Sequence, residues 1–452
     1  MRVNESSNQI SNANLGIHLF EILRNYLDTQ RIWIAYSGGL DSHVLLHAIA
    51  QLRPQLSKPT LQAVHIHHGL HPQADDWAQH CQAVCDALII PCEIVHVQVH
   101  QASRESLEAN ARIARYQAIA QLLAPQDVVL TAQHADDQAE TVLLQLLRGA
   151  GVAGLAAMPP VTRLASGWLI RPFLNYTRIQ LYAYAQQMQL QWIEDSSNAN
   201  IQFDRNFLRH RIIPVLQQRW PSISHTLSRT ARYQAEANEL AENLAKIDWE
   251  SCRTKHLTQL SLRALSTLSL VRQRNVIRYW LNQCQLPIPS SSQLQQILQS
   301  LLHAKADRQP IVRWSGVEIR RYQQLLFAMS PLPPQPLDSY RLNWLLPQPL
   351  TLPLGQLTAV QVQKQGLALP GETTLQVRFR QGGEIFYWRG HQRMVKKLLQ
   401  TIPLPPWHRP FIPLIYLNNI LVAIPQIGIR DDLRAPAGQA GWEIQWQFPA
   451  SD

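Results

Sequence analysis

Three observations predict an α/β protein with more than one domain. Short Val- and Ile-rich runs alternate with helical stretches over the first 200 residues, which indicates a parallel sheet with helices on both faces. The pattern is helical from Pro214 to Leu302, and a proline-rich stretch then precedes short alternating segments. We therefore expect a Rossmann-like parallel sheet in a domain at 1–215, a helical domain at 216–330, a proline-rich linker at 331–345 and a small α+β domain at 346–452.

The predicted elements follow from the local residue pattern. Runs rich in β-branched residues indicate strands, and apolar residues at helical spacing indicate helices. Strands are expected at Ile32–Tyr36, Leu61–Ile66, Glu93–Val99, Asp127–Ala132, Leu375–Arg380 and Ile420–Ile424. Helices are expected at Ser42–Leu52, Ala74–Leu88, Ser103–Leu123, Ala231–Ile247 and Leu262–Asn282.

The charge of the chain indicates an anionic partner. Among 452 residues, 41 are Lys or Arg and 31 are Asp or Glu, which gives a net charge of +10, and only seven of the 41 are Lys. Arg binds phosphate bidentately, and the excess lies in three nearly acid-free stretches at 205–235, 251–306 and 375–410. Ordinary solvated faces mix charges of both signs, so these stretches favour a long polyanion such as RNA.

Composition also excludes several classes of protein. An apolar fraction of 46% excludes a disordered chain, and no apolar run reaches the roughly 20 residues of a membrane span. The polar N-terminus lacks the apolar segment of a signal peptide. Five cysteines are few and odd in number, which favours a reducing compartment. We expect a cytoplasmic protein.

The strongest motif lies between the first predicted strand and the helix that follows it. It reads Ser37-Gly38-Gly39-Leu40-Asp41-Ser42. Glycines let the backbone approach an anion, and the N–H groups at a helix N-terminus attract phosphate. Ser37 and Ser42 can donate hydrogen bonds to phosphate oxygens. Asp41 alone would repel phosphate, so its presence favours a magnesium ion that bridges the two. A plain glycine-rich turn does not account for this set.

A second cluster of polar residues follows the strand predicted at 127–132. His134, Asp136, Asp137 and Glu140 occur where this strand gives way to an apolar helix. Capping that helix requires one acid, whereas this segment has three acids and a histidine at the carboxyl edge of the sheet. Zinc is one candidate metal ion for these side chains, but hard oxygen donors beside a phosphate loop favour magnesium.

These two motifs carry a resemblance to a known family. The loop is similar to the S-G-G-x-D-S pyrophosphate loop of the N-type ATP pyrophosphatases, the PP-loop superfamily. The run T-A-x-H-x-D-D-Q-x-E-T at 131–141 resembles that of the tRNA(Ile)-lysidine synthetases. Further runs that resemble this family lie at 64–70, 108–116, 148–151, 193–198, 205–209, 378–384 and 396–399. Gln133 departs from the family, because many members carry a second His there.

The resemblance implies a reaction and its partners. In this family ATP adenylates the wobble cytidine of tRNA(Ile) with anticodon CAU, and free L-lysine then displaces AMP to form lysidine. The modified tRNA decodes and accepts isoleucine instead of methionine. The resemblance implies ATP and magnesium as cofactors, tRNA binding by the helical and C-terminal domains, and no membrane partner. A homodimer is among the expected assemblies.

The resemblance also implies roles for individual residues. The expected catalytic residues are Asp41, His134, Asp136, Asp137 and Arg205, with magnesium on Asp41 and Asp137. The expected nucleotide-binding residues are Ser37, Gly38, Gly39, Leu40, Asp41, Ser42 and His65. The expected residues for tRNA or lysine are Glu108, Arg112, Arg115, Glu140, Arg148, Asn206, Arg209, Arg378, Arg380, Lys396 and Lys397.

Several alternatives stay open at this point. Asp137, His134 and Glu140 are all candidates for the base that deprotonates lysine. The histidines at 65, 67, 68 and 71 could bind zinc, although a place in the nucleotide pocket or in the following loop is favoured. A tRNA-thiolating enzyme of the same superfamily is the alternative function. The chain has no C-x-x-C pair, and packing on a helix accounts for Cys81 and Cys85.

Overall fold

The computed structural model describes residues 12–56, 58–99, 107–195, 200–302, 309–363, 365–369, 373–436 and 438–447. The chain divides into two compact units, 1–240 and 241–452. This division falls inside one long helix, and the domain boundaries expected near 215, 330 and 345 stay predictions. No helix among the described residues is long and apolar enough to cross a membrane.

The first unit is built on a six-stranded sheet with helices on both faces. The strands are β1 (Arg31–Ala35), β2 (Thr60–His67), β3 (Cys92–His96), β4 (Val128–Leu130), β5 (Val161–Leu164) and β6 (Gly167–Ile170). The helices are α1 (Asn12–Leu23), α2 (Leu40–Gln51), α3 (Ala74–Ala87), α4 (Leu107–Leu122), α5 (Ala135–Leu147), α6 (Val152–Leu155), α7 (Arg178–Gln187), α8 (Asp204–Phe207), α9 (Ile213–Arg219) and α10 (Ile223–Cys252), which crosses into the second unit.

The strand order, β3-β2-β1-β4-β6-β5, positions the functional site. All pairings are parallel except that of β5 with β6. The chain order reverses at β1, which pairs with β2 on one side and with β4 on the other. Ligands of such sheets bind at this reversal, beyond the carboxyl ends of the strands. The segments after β1 and β4 therefore lie side by side.

The strands of this sheet bury side chains on both faces. Ile32 and Ile34 of β1 pack with α1, α2, α3 and α7, while Trp33 packs on the opposite face with Ile119 and Val129. The four predicted strands of this unit are present, and the parallel α/β fold class is confirmed. The β5–β6 hairpin was not predicted, because four-residue strands are too short to show a period.

The second unit begins with helices and a four-stranded antiparallel sheet. Its helices are α11 (Leu262–Ser266), α12 (Leu270–Gln283) and α13 (Ser291–Gln296). The strands β7 (Gln259–Ser261), β8 (Ile311–Trp314), β9 (Val317–Tyr322) and β10 (Leu325–Met329) pair in the order β7-β10-β9-β8. The expectation of helix throughout 214–302 is wrong at β7. This three-residue strand forms because it pairs with a strand more than 60 residues later.

The rest of the second unit is the small α+β domain that the sequence predicts. A five-stranded sheet has the order β11-β14-β17-β18-β19, a three-stranded sheet has the order β12-β13-β20, and β15 and β16 form a hairpin. These elements are β11 (Arg341–Leu345), β12 (Leu350–Thr351), β13 (Gln356–Gln363), β14 (Thr374–Arg378), β15 (Ile385–Trp388), β16 (His391–Met394), α14 (Val395–Thr401), β17 (Leu414–Leu417), β18 (Ile420–Ile424), β19 (Gly428–Ile429) and β20 (Ala440–Gln447). Trp344, Phe386 and Phe411 lie in its core.

We predict that Asp127→Ala destabilises the protein by about 2 kcal/mol, because it leaves the buried indole N–H of Trp33 and the half-buried Arg31 without their acceptor. Asp127 precedes β4 and accepts from Arg31 Nη2 at 2.9 Å, from the Ala124 N–H at 3.0 Å and from Trp33 Nε1 at 3.4 Å. Urea unfolding followed by circular dichroism measures the change. Asp28→Ala is the control, since its ion pair with Lys58 is exposed. Equal midpoints for the two variants would contradict this account of Asp127.

Candidate active site

The loop between β1 and α2 is closed by its own serines. Ser37 Oγ lies 3.0 Å from Ser42 Oγ, which accepts the Ser37 N–H at 3.2 Å and donates to the Gly39 carbonyl at 2.9 Å. Helix α2 begins at Leu40, so its first N–H groups point into this loop. This geometry agrees with the anion cradle that the sequence predicts, and phosphate binding by the loop stays a prediction.

Gly38 is required in this loop for two reasons. Its φ of +83° is a left-handed conformation that side chains disfavour. A Cβ on Gly38 would also lie 2.5 Å from Cδ1 of Ile193. The Ile193 N–H donates to the Gly38 carbonyl at 2.9 Å, so the backbone cannot move away without losing this bond. The residues at 196–198, also part of the resemblance, lie outside the described residues.

The segment after β4 forms the capped start of α5. His134 is the N-cap residue: its Nδ1 accepts the Asp137 N–H at 3.4 Å, and the Asp137 carboxylate accepts the His134 N–H at 3.1 Å. Asp137 thus serves the helix as well as the site, and the histidine rather than an acid takes the N-cap position.

The loop and the start of α5 meet at His134. Its Nε2 lies 3.6 Å from Oδ2 of Asp41 and 3.4 Å from Oδ2 of Asp137. Burial alone would lower the pKa of His134, but Asp137, Asp41 and Asp136 together raise it to about 9. Asp41 Oδ1 is buried and accepts no hydrogen bond from the described residues. Two carboxylates, one with an unsatisfied oxygen, suit a hard cation that also takes phosphate oxygens and water.

Behind this pair lies a network of two acids and two arginines. Glu140, which is 0% exposed, accepts from Arg205 Nε at 2.7 Å and from Arg209 Nε at 2.6 Å. Arg209 and Arg205 also lie 2.9 and 3.3 Å from Oδ1 of Asp137. Burial would raise the pKa of Asp137, but His134 and the two arginines hold it below its usual range. Both oxygens of Glu140 are therefore occupied, whereas Asp137 has one oxygen on the side of His134.

Asp136 faces away from the other two acids. Its Oδ2 accepts the N–H of Arg178 at the start of α7 at 2.7 Å, and its Oδ1 accepts the hydroxyl of Ser224 in α10. The same Oδ2 lies 3.7 Å from His134 Nδ1. The carboxylate of Asp136 thus ties α5 to two other helices. Its predicted catalytic role stays a prediction.

The expected residues on β2 and α4 line the same edge of the sheet. His65 Nδ1 donates to the Tyr36 carbonyl at 3.0 Å, and burial lowers the pKa of His65. Arg115 reaches His68 at 3.4 Å, and Arg112 reaches the Tyr116 hydroxyl at 3.5 Å. The side chain of Glu108 lies outside the described residues.

The remaining expected residues lie at the end of α5, in α8 and in the second unit. Arg148 is exposed at the end of α5, and Asn206 donates to the Asn200 carbonyl at 3.0 Å. Arg378, Arg380, Lys396 and Lys397 belong to the second unit, where both lysines are exposed on α14. Sequence reasoning missed Arg171, a buried arginine directly after β6. If strand β6 had been predicted, the position of Arg171 directly after it would have marked this residue as a candidate for the site.

Among the residues that the structure describes, the histidines and cysteines make no metal site. His67 binds Asp75 at 2.9 Å and His71 stacks on Trp77, so they do not converge on one point. Within the described ranges, no three His, Cys, Asp or Glu residues are placed to hold a metal ion. The cysteines of these ranges are free thiols, and burial raises the pKa of Cys81 to about 12.

The sheet and its serine loop define an ATP-binding PP-loop domain. The family model of the PP-loop domain matches residues 12–216. Models of a TilS substrate-binding domain and a TilS C-terminal domain match 260–327 and 375–446.

The chain is also similar over most of its length to curated proteins. The tRNA(Ile)-lysidine synthase of Coxiella burnetii is 39% identical over 95% of this chain and 96% of its own. The tRNA(Ile)-lysidine synthase of Alkalilimnicola ehrlichii is 43% identical over 90% of this chain and 91% of its own. The chain belongs to the tRNA(Ile)-lysidine synthase family.

A solved U34-tRNA thiolase from Methanococcus maripaludis covers 50% of this chain and 78% of its own, at 15% identity and a TM-score of 0.44. That likeness is too low to carry an argument about function.

We predict that Glu140→Gln costs about 3 kcal/mol of folding stability, because it leaves two buried guanidinium groups short of a charge. Urea unfolding measures the loss. Glu236→Gln is the control, since Glu236 pairs with Arg232 on an exposed helix face. A Glu140→Gln protein as stable as the control would show that the arginines do not depend on this acid.

Proposed function

We propose that the protein is an ATP-dependent ligase that joins free lysine to the wobble cytidine of tRNA(Ile) with anticodon CAU. The observation that carries this proposal is that the serine loop, through its Asp41, meets His134 and Asp137 in a member of this family. The carbonyl oxygen of the cytosine ring attacks the α-phosphate of ATP, and pyrophosphate leaves. The ε-amine of lysine then forms the C–N bond as the C–O bond to AMP breaks, and a proton leaves the amine.

The chain supplies the phosphate site for the first step. Ser37, Ser42 and the N-terminal N–H groups of α2 bind the pyrophosphate part of ATP, where they neutralise charge on the leaving group. Asp41 and Asp137 fit a magnesium ion, because Asp41 has a buried oxygen free to bind it. Magnesium bound there would add charge neutralisation on the phosphate oxygens.

The arginine pair acts through the acids. Arg205 and Arg209 hold Asp137 ionised and oriented toward His134, because their guanidinium groups bind its Oδ1. Arg205 is therefore proposed as a positioning residue for Asp137 in addition to the charge neutralisation that the sequence suggests.

Lysine must lose a proton before it attacks, since its amine is protonated near neutral pH. Glu140 is a poor acceptor, because both of its oxygens bind arginine. Asp137 and His134 are the two groups that face Asp41 and the loop. We propose that Asp137 takes the proton, because a pKa of about 9 leaves His134 already protonated at neutral pH.

Sulfur transfer, the alternative considered for this sequence, does not suit Cys81, the thiol that lies against the loop at Gly38. Persulfide chemistry needs a reactive thiolate. Cys81 is fully buried behind the loop, and its raised pKa keeps it protonated. The lysine reaction is therefore the function that we propose.

We propose that the second unit binds the tRNA, with the helical region on the anticodon stem and the C-terminal domain on the acceptor end. Its hairpin places arginines over aromatic rings: Arg389 and Arg393 lie 4.3 and 5.6 Å from the centre of Trp388. All of β16 is exposed beside Lys396 and Lys397. Arginines stacked in this way present their outer N–H groups to phosphate. A cytoplasmic location, expected from the composition, and a homodimer both stay predictions.

The proposal predicts that radiolabelled lysine enters an isoleucine tRNA transcript with anticodon CAU, with release of AMP and pyrophosphate. A methionine tRNA with the same anticodon is the substrate control and should stay unlabelled.

Asp41→Asn should lower pyrophosphate release at least about 100-fold, because it removes charge from the phosphate site. The exposed Asp76→Asn is its matched control and should leave the rate unchanged. Release without lysine incorporation would point to another nucleophile.

We also predict that Lys396→Gln with Lys397→Gln weakens tRNA binding. The slope of log Kd against log salt concentration should fall by about 1.5, since each phosphate contact contributes roughly 0.7 to 0.9. Filter binding at several salt concentrations measures the slope. The control is Lys58→Gln, an exposed lysine of the first unit. An unchanged slope would exclude these lysines from the RNA surface.

A further inference from the structure

Arg171 is a buried cation with no assigned role in the proposed reaction. It follows β6 at the carboxyl edge of the sheet and is 7% exposed. Its Nη1 donates to the Pro159 carbonyl at 2.7 Å, but its Nε is buried and has no hydrogen-bond partner among the described residues. An unsatisfied donor on a buried charge is costly unless a ligand completes it.

The neighbours of Arg171 link it to the active site. Tyr116 and Arg112 of α4 both act on Arg171: a side-chain hydrogen bond with Tyr116 raises its pKa, and the charge of Arg112 lowers it. The Tyr116 hydroxyl also accepts from Nε2 of Gln133 at 3.5 Å, and Gln133 directly precedes His134. Arg171 therefore lies one polar side chain away from the segment that faces Asp41.

The charges around Arg171 do not balance within the described side chains. Neither Arg171 nor Arg112 forms an ion pair with any of those carboxylates, and the side chain of Glu108 is not among them. Burial lowers the pKa of Arg171, and the charge of Arg112 lowers it further. Two arginines at the edge of an active site without described counter-charges are suited to an anionic ligand.

The reaction leaves one anionic group without a site. The serine loop and the N-terminus of α2 serve the phosphates of ATP, whereas free lysine carries an α-carboxylate at the far end of its side chain from the reacting amine. The guanidinium fork matches a carboxylate bidentately. We propose that Arg171, together with Arg112, binds the α-carboxylate of the lysine substrate. This inference rests on the proposed function.

The test compares lysine with 1,5-diaminopentane, which has the same amine but lacks the carboxylate. The wild-type protein should prefer lysine in kcat/KM by about 10- to 100-fold, the range of a charge-assisted hydrogen bond. Arg171→Gln should lose that preference because its KM for lysine rises, while kcat/KM for the diamine stays unchanged. Arg171→Lys keeps the charge without the fork and should recover part of the preference. A purely structural defect would instead lower kcat/KM for lysine and for the diamine by the same factor. The ratio of the two kcat/KM values would then stay at the wild-type value.

Two further variants complete the experiment. Arg112→Gln, which changes a half-buried residue of the same pair, should lower the preference even if Arg171 variants fold poorly. Arg163→Gln, an exposed arginine stacked on Trp168, is the matched control and should keep the wild-type ratio.

Other outcomes would overturn the assignment. A raised KM for ATP with the lysine preference intact would assign the arginines to phosphate. A wild-type protein that does not distinguish lysine from the diamine would leave the carboxylate without a site. A wild-type protein that incorporates neither amine would overturn the proposed function as well, whereas normal lysine incorporation with an unchanged ratio in every variant would overturn only this inference.

Discussion

The parallel pairing of β1 with β4 is the constraint on which the site depends. Ile32 and Ile34 lie opposite Val128 and Leu130, so the two strands end at the same level of the sheet. The segment that follows β1 is the serine loop. The segment that follows β4 leads to His134, Asp136 and Asp137 at the start of α5. Neither segment forms a reaction site alone. The register between two short buried strands brings Asp41 within reach of His134.

The buried acids and arginines behind the site serve orientation more than stability. Asp137 and Glu140 carry two negative charges and Arg205 and Arg209 two positive charges, so the network is neutral overall. Buried ion pairs return little net stability for the desolvation they require, and an apolar cluster of equal volume would hold these helices as well. What the arginines provide is a fixed direction for the Asp137 carboxylate, which an apolar cluster could not give.

Local sequence predicted the parts of the site that are local. The serine loop and the acidic cluster each lie within a dozen residues and follow a strand, so their chemistry was visible in the sequence. The pairing of Glu140 with Arg209 joins residues 69 apart and depends on how α5 packs beside α8. Arg171 was missed because β6 is too short for a periodic signal, and β7 because a distant partner strand stabilises it. Long-range packing, not residue type, accounts for these gaps.

The contact between Gly38 and Ile193 has an evolutionary consequence. A methyl group at position 38 would need both a different backbone angle and a smaller neighbour at position 193. No single substitution meets both needs, so a side chain at position 38 would require coordinated changes at two positions that are distant in the chain. A duplicate of this gene that had drifted away from nucleotide chemistry would be expected to lose this glycine only after its loop had taken a new shape.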